Sequence, residues 1–123
     1  MRIRTPETRI RVAVVGYGVI GKRVADAVAL QTDMQLAGVA DVATDWRLQV
    51  AAALGLPIFA GDAASLASMR SVGLPVVDTL ENLLQQADVV VDCTPKKVAA
   101  GNVPRYRSAG IRFILQGGEK HEM

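Results

Sequence analysis

The sequence is poor in cysteine and aromatic residues and lacks long apolar runs, which excludes several classes of protein. It has a single cysteine, Cys93, so no internal disulfide framework can form, and only 4% of its 123 residues are aromatic. No run of eighteen apolar residues occurs, and the first residues lack the apolar core of a signal peptide. These features predict a cytoplasmic protein without a membrane partner.

What is present indicates a single folded domain. Half of the residues are apolar and the formal net charge is only +2, which argues against disorder. Four arginines stand in the first eleven positions and are open to two interpretations, an arm that binds nucleic acid or a solvated terminal segment. Because no aromatic residues are interleaved with them, we expect a terminal arm over residues 1–8 and no nucleic-acid partner.

The most informative segment is a glycine motif in residues 12–23, VAVVGYGVIGKR. Gly16, Gly18 and Gly21 spell G-x-G-x-x-G between an apolar strand over Ile10–Val15 and a helix over Val19–Leu30. In a dinucleotide-binding unit the first glycine makes the tight turn, the second admits the pyrophosphate and the third lets the helix approach the strand. The helix N-terminus then offers N–H groups to the phosphates.

The residues after this motif favour the same interpretation. A second strand over Met34–Ala40 leads to Asp41, twenty positions after Gly21, where an acidic residue would hold the ribose hydroxyls of an adenosine. Two alternatives remain. The glycine turn could simply join strand to helix, and Gly16 and Gly21-Lys22 also match a P-loop, although Arg23 stands where a magnesium-binding hydroxyl is needed.

The rest of the chain alternates strands and helices. We predict helices capped by Thr44 or Asp45, by Asp62 and by Thr79, a short extended segment over Leu56–Ala60 and another strand over Leu74–Val77. A strand over Ala87–Asp92, a helix within Val98–Ala109 and a strand over Ile111–Leu115 complete the order, with Asn102 and Pro104 expected near the start of that helix. The order predicts an α/β fold with a Rossmann-type, doubly wound, mainly parallel sheet.

Three motifs resemble one enzyme family. They are GYGVIGKRVADA from Gly16, ADVVVDCTPKK from Ala87 and ILQGGEK from Ile114. In this order and spacing they resemble the archaeal-type (type II) phosphorylating glyceraldehyde-3-phosphate dehydrogenases, over nearly the whole chain from Arg9. The resemblance implies one NAD(P)-binding Rossmann domain over residues 1–123, without the catalytic domain.

In that family a catalytic cysteine attacks the aldehyde, and the resulting thioester is cleaved by phosphate after hydride transfer to the cofactor. The resemblance places this cysteine beyond the segment Gln116–Lys120, so we predict no catalytic residue and no metal ligand in this chain. Cys93 lies at a strand end, where a reactive thiol is conceivable, but its motif does not match the nucleophile, and His121 stands in the terminal tail. We expect Cys93 to be an ordinary, partly buried thiol.

The motifs and the resemblance together predict a cofactor site formed by residues at the carboxyl ends of the strands. For Lys96 and for the glycines after Gln116, a plain solvated loop is the alternative. The expected cofactor-binding residues are Gly16, Tyr17, Gly18, Val19, Ile20, Gly21, Asp41, Thr94, Pro95, Lys96, Gln116 and Gly117.

Asp41 also predicts which cofactor is preferred. Because a carboxylate accepts hydrogen bonds from ribose hydroxyls but repels a 2′-phosphate, we expect NAD to be preferred and NADP to bind more weakly. Arg47 could still reach a phosphate, and Trp46 could stack on the adenine ring or pack against a loop.

The predicted function is the cofactor domain of such a dehydrogenase, which binds the dinucleotide but does not catalyse alone. Two alternatives stay open, a stand-alone NAD-sensing or interaction module and the cofactor domain of another semialdehyde-type dehydrogenase. Without the helix that returns to this domain in the resembling family, an apolar surface would be exposed. We therefore expect a homo-oligomer or association with a separate catalytic domain.

Overall fold

The computed structural model describes residues 8–116, which form one six-stranded sheet with helices on both faces. The strands are β1 (Ile10–Val15), β2 (Met34–Asp41), β3 (Ile58–Ala60), β4 (Val76–Thr79), β5 (Val89–Asp92) and β6 (Arg112–Leu115). The helices are α1 (Val19–Ala29), α2 (Trp46–Ala53), α3 (Ala63–Ser71), α4 (Leu80–Gln86) and α5 (Lys96–Ala109).

The strand order is β4-β3-β2-β1-β5-β6, and every neighbouring pair runs parallel. The chain proceeds outward from β1 to β4 and then returns to the other side of β1. The order therefore reverses between β1 and β5, which makes the carboxyl ends of these two strands the topological switch point where ligands bind in such sheets. The predicted doubly wound α/β fold is confirmed.

Alternating side chains of the strands supply two separate cores. Val12 and Val14 of β1 face one core, which α1, α2 and α3 cover, whereas Ala13 and Val15 face the other, which α4 and α5 cover. Burial on both faces explains why the last four residues of β1, Val12–Val15, are all apolar.

The predicted caps are largely confirmed. The Asp45 carboxylate accepts a hydrogen bond from the N–H of Arg47 and the Asp62 carboxylate one from the N–H of Ser65. Thr79 lies at the N-cap of α4 but its side chain makes no capping hydrogen bond, and Gly110 ends α5 with a φ of 68°.

The prediction for the start of α5 was wrong. The helix begins at Lys96, so Asn102 and Pro104 lie in its interior rather than near its start. Asn102 is buried there and hydrogen-bonded to Asp92, a long-range contact that helix propensity does not register. Pro104 occupies a position where it withholds one intrahelical hydrogen bond.

Two expectations concern segments that lie partly or wholly outside the described residues. The terminal arm was predicted over residues 1–8, of which only Thr8 is described, and Gly117 and His121 lie beyond Gln116. Within residues 8–116, no helix combines the length and apolar character that a membrane span needs.

Candidate functional site

The turn after β1 requires its first and third glycines. Gly16 has a φ of 88°, and a Cβ atom there would lie 2.9 Å from the Thr94 methyl carbon. A Cβ atom on Gly21 would lie 1.8 Å from the carbonyl oxygen of Gly16, which is far inside van der Waals contact. Gly21 thus lets α1 approach the turn, and Gly16 lets the turn pass over Thr94.

The middle glycine faces open space. A Cβ atom on Gly18 would meet nothing within 4 Å, and Gly18 is the N-cap of α1 without a side-chain hydrogen bond. The first turn of α1 contains no acidic residue, and Val19 and Ile20 are about half exposed. The helix therefore presents its first N–H groups to an accessible surface, an arrangement that suits an anionic group.

Asp41, at the end of β2, is bonded to the glycine turn. Its Oδ2 accepts a hydrogen bond from the backbone N–H of Tyr17 at 2.7 Å, and its Oδ1 accepts from Val42 at 2.7 Å and Ala43 at 3.2 Å. A carboxylate has about four acceptor positions, so three backbone donors leave one free. Asp41 therefore organises its own surroundings and retains a position for one further donor.

The loop after β5 lies beside the same turn. The N–H of Cys93 donates to the carbonyl of Val15, which joins the carboxyl ends of β5 and β1 at 2.7 Å. Thr94 is buried, whereas Pro95, at the N-cap of α5, and Lys96 are exposed. Loop 93–95 thus forms one wall of the switch point.

Cys93 is not activated in this position. The thiol is half-buried, and burial together with the nearby Asp92 carboxylate raises its pKa to about 11. A reactive cysteine needs a lowered pKa instead. The environment therefore agrees with the expectation of an ordinary thiol.

A buried polar cluster lies directly behind loop 93–95. The Asp92 side chain is 0% exposed and accepts four hydrogen bonds. Oδ1 accepts from the N–H and the hydroxyl of Thr94, at 2.8 and 2.5 Å. Oδ2 accepts from Nδ2 of Asn102 at 3.1 Å and from the hydroxyl of Tyr106 at 2.5 Å.

Sequence reasoning did not single out Asp92, Asn102 or Tyr106 as a group. Two of them lie on α5 and one at the end of β5, ten to fourteen positions apart. One sequence signal could have indicated Asp92. It is the acidic residue at the end of the apolar segment DVVVD, directly before the loop whose residues were predicted to bind the cofactor.

The other predicted site residues are distributed around this edge. The Tyr17 side chain is buried in the core beneath α1 and α2, where its hydroxyl has no hydrogen-bond partner among the described residues and burial raises its pKa. Any contact of Tyr17 with a ligand would therefore involve its backbone. Gln116 is exposed, and its N–H donates to the carbonyl of Asp92 at 2.7 Å.

Trp46 and Arg47 stand just beyond Asp41, in the first turn of α2. The Trp46 side chain is 63% exposed, and the Arg47 guanidinium lies 5.0 Å from the centre of its ring. Arg47 also approaches the Asp45 carboxylate at 3.8 Å. Both residues open the helix that follows the carboxyl end of β2, so the position of Trp46 is compatible with both interpretations.

Comparison with known proteins extends this description. The protein family described as "Dihydrodipicolinate reductase, N-terminus" matches residues 10–117. Among curated relatives, glyceraldehyde-3-phosphate dehydrogenase of Methanothermobacter thermautotrophicus is 46% identical over 113 residues, which cover 92% of this chain and 34% of that protein. The enzyme of the same name from Pyrococcus abyssi is 46% identical over 112 residues, with 91% and 34% covered.

The resemblance predicted from the three motifs is thereby confirmed, and the chain spans about a third of the length of these relatives. Among solved structures, UDP-N-acetylglucosamine 3-dehydrogenase GnnA from Acidithiobacillus ferrooxidans superposes with a TM-score of 0.60 at 25% identity. That match covers 85% of this chain and 28% of the other. The shared part is thus about a third or less of each of these longer proteins.

Proposed function

The chain belongs to the family described as dihydrodipicolinate reductase, N-terminus, and we propose that it binds a nicotinamide dinucleotide at the carboxyl ends of β1, β2 and β5. The observation that carries the proposal is the open space at Gly18 beside the uncapped N-terminus of α1. Close packing at Gly16 and Gly21 holds the turn on both sides of this opening. A phosphate group can therefore approach the backbone N–H groups at the start of α1.

The orientation of the ligand follows from the residues on each side of the turn. The pyrophosphate lies over Gly18 and the first turn of α1. The adenosine ribose lies toward β2, where the free acceptor position of Asp41 receives one hydroxyl. The nicotinamide half then extends over loop 93–95 toward Lys96 and Gln116. The remaining predicted site residue, Gly117, lies outside the described residues.

NAD is the preferred cofactor in this proposal. The Asp41 carboxylate would stand beside the 2′-position of the adenosine ribose, where a phosphate would be repelled. Arg47, in the first turn of α2, could offset this repulsion, but it already contacts Trp46 and Asp45. NADP binding is therefore expected to be weaker rather than absent.

The activity of the whole protein is a separate proposal. The relatives named above support phosphorylating oxidation of glyceraldehyde 3-phosphate, with this domain supplying the cofactor. Within residues 8–116 the single thiol has a raised pKa, so we expect this chain to bind the dinucleotide without catalysing the reaction alone. A cytoplasmic location remains a prediction, as do the alternatives of an NAD-sensing module and of another semialdehyde-type dehydrogenase.

Self-association is proposed at the free edge of β6. Within the described residues β6 ends the sheet, and Ile114 and Leu115 are 52% and 45% exposed. The opposite edge strand, β4, is protected because the Arg70 guanidinium donates to the carbonyls of Val76 and Val77 at 3.1 Å. We therefore propose that β6 is the edge at which two copies of the chain pair.

Calorimetric titration with NAD and, separately, with NADP tests the cofactor proposal. We expect saturable binding of both, with NAD the tighter ligand. Gly18→Ala is the matched variant, because its methyl group would enter the open space with no protein atom within 4 Å, and we expect it to bind NAD more weakly. Failure of the unchanged chain to bind either cofactor would contradict the proposal, and tighter NADP binding would contradict the role of Asp41.

A further inference from the structure

Burying the Asp92 carboxyl group costs free energy, because the group loses its contact with water. An ionised group with no exposure must have its lost hydration replaced, and a well-packed apolar residue would often be as stable in its place. Asp92 accepts four hydrogen bonds, two on each oxygen, so its buried polar atoms are satisfied. We therefore ask which groups the Asp92 side chain holds in place through these hydrogen bonds.

One oxygen holds the loop against the glycine turn. Oδ1 receives both the N–H and the hydroxyl of Thr94, which fixes the backbone and the side-chain rotamer of that residue. The methyl of the same side chain lies 2.9 Å from the position of a Cβ atom on Gly16. The position of Thr94 therefore determines how loop 93–95 fits beneath the turn.

The other oxygen holds helix α5. Oδ2 receives Asn102 and Tyr106, which lie one turn apart on the buried side of that helix. Loop 93–95 leads directly into α5. Asp92 is therefore hydrogen-bonded both to the loop and to the helix that follows it. The Tyr106 ring is itself held by Phe113 of β6, at 5.5 Å between ring centres.

The bonds continue from Asn102 to the loop after β3. Oδ1 of Asn102 accepts from Arg105 at 3.3 Å, and Arg105 donates to the carbonyl of Gly61 at 2.6 Å and to Glu81 at 2.7 Å. This chain of contacts joins α4, α5 and the loops after β3 and β5. Shared bonding of this kind rigidifies the elements it connects.

We propose that Asp92 is a positioning residue for dinucleotide binding, which holds loop 93–95 where the nicotinamide half of the ligand is received. The inference rests on the proposed function. Because Asp92 is fully buried, its side chain would act on the ligand only through the groups it holds. Asp41 and the turn serve the adenosine half on the other side of the switch point, so the two halves depend on different carboxylates.

The test compares NAD with ADP, which lacks the nicotinamide riboside. Tyr106→Phe removes one hydroxyl from Asp92 and changes no residue at the sheet edge, and Asn102→Ala removes the other donor to Oδ2. Phe113→Leu is the matched control, since it loosens the packing of the Tyr106 ring but keeps the hydroxyl. Dissociation constants for both ligands are measured with each chain.

For Tyr106→Phe and Asn102→Ala we expect NAD to bind about three- to tenfold more weakly, with the ADP dissociation constant changed by less than about twofold. Phe113→Leu should lower the melting temperature without altering the ratio of the two constants. A ratio unchanged in both variants, with NAD and ADP weakened equally, overturns the positioning role. If the unchanged chain binds neither ligand, the proposed function fails, and this inference fails with it.

Discussion

The backbone N–H of Tyr17 donates a 2.7 Å hydrogen bond to the carboxylate of Asp41, which joins the glycine turn to the end of β2. The aspartate was expected to act on a ribose, yet in this structure it also supports the turn. In the proposed cofactor site, Asp41 would therefore affect ligand binding in two ways, through a direct contact with the ribose and through the shape of the turn.

Asp41→Asn tests both effects, each with its own measurement. The amide group can no longer supply two charged acceptor oxygens, so the Tyr17 N–H should exchange with solvent faster and NAD should bind about tenfold more weakly, or about 1.4 kcal/mol. Hydrogen exchange of the Tyr17 amide and calorimetry measure the two effects. Asp45→Asn, four positions away in the cap of α2, is the control and should leave the Tyr17 amide unchanged. Unaltered exchange at Tyr17 in Asp41→Asn would contradict the support of the turn.

Gly21→Ala and Gly18→Ala should have opposite consequences. The methyl of Gly21→Ala would meet the Gly16 carbonyl oxygen at 1.8 Å, so we expect a loss of about 1–3 kcal/mol in the free energy of unfolding. The methyl of Gly18→Ala meets no protein atom, so stability should change little while NAD affinity falls. Urea denaturation and calorimetry of both variants check this. A Gly18→Ala chain with full affinity would show that the ligand does not approach this side of the turn.

Cys93 should react slowly with alkylating agents. With its pKa raised to about 11, only a small fraction is thiolate at pH 8, so iodoacetamide should modify the folded chain at least about tenfold more slowly than the chain in urea. The rate for the folded chain should still be rising between pH 8 and pH 10. A rate that levels off near pH 8 would instead indicate an activated thiol.

Acid should weaken the Glu81–Arg105 ion pair. The Arg105 guanidinium lowers the pKa of Glu81, so this pair stabilises the fold above the ordinary carboxyl pKa of about 4 and loses that effect as the pH falls through the lowered value. More than half of the Glu81 side chain is exposed, which limits the contribution to about 0.5 kcal/mol at pH 7. Glu81→Gln should thus be less stable than the unchanged chain at pH 7, and this difference should shrink as the pH falls through the lowered pKa of Glu81.

Urea denaturation across this pH range measures the effect. Asp88→Asn is a useful second variant, because Arg11 lowers the pKa of Asp88 at the opposite end of the sheet. The two losses at pH 7 should therefore add. A Glu81→Gln deficit that persists at pH 3 would show that the side chain acts through packing rather than charge.

Pairing at β6 should depend on its exposed apolar residues. Ile114→Lys places a charge at the free edge and should convert a dimer to a monomer in sedimentation experiments. Val77→Lys, a similarly exposed position on β4, is the control and should leave the association unchanged. The proposed pairing at β6 would be contradicted if the unchanged chain stays monomeric at high concentration, or if its dimer persists in Ile114→Lys.

Much of the fold was predictable because its signals are local. The observed bounds of β1 are those predicted, and Asp45 and Asp62 cap their helices through their own side chains, as predicted. Gly110 ends α5 through its backbone conformation. The start of α5 was missed because Asn102 and Pro104 favour a helix start by propensity, whereas tertiary contacts with β5 determine their place.

The sequence by itself determined the alternation of strands and helices, the glycine turn and the kinship with the dehydrogenases, since periodicity, glycine spacing and short motifs are properties of neighbouring residues. Only the tertiary structure decided which groups donate hydrogen bonds to the side chains of Asp41 and Asp92. Their donors, Tyr17 for the first and Asn102 and Tyr106 for the second, come from other elements of the fold. Parallel strand pairing brings these groups together over long separations, and no local pattern records which donor meets which carboxylate.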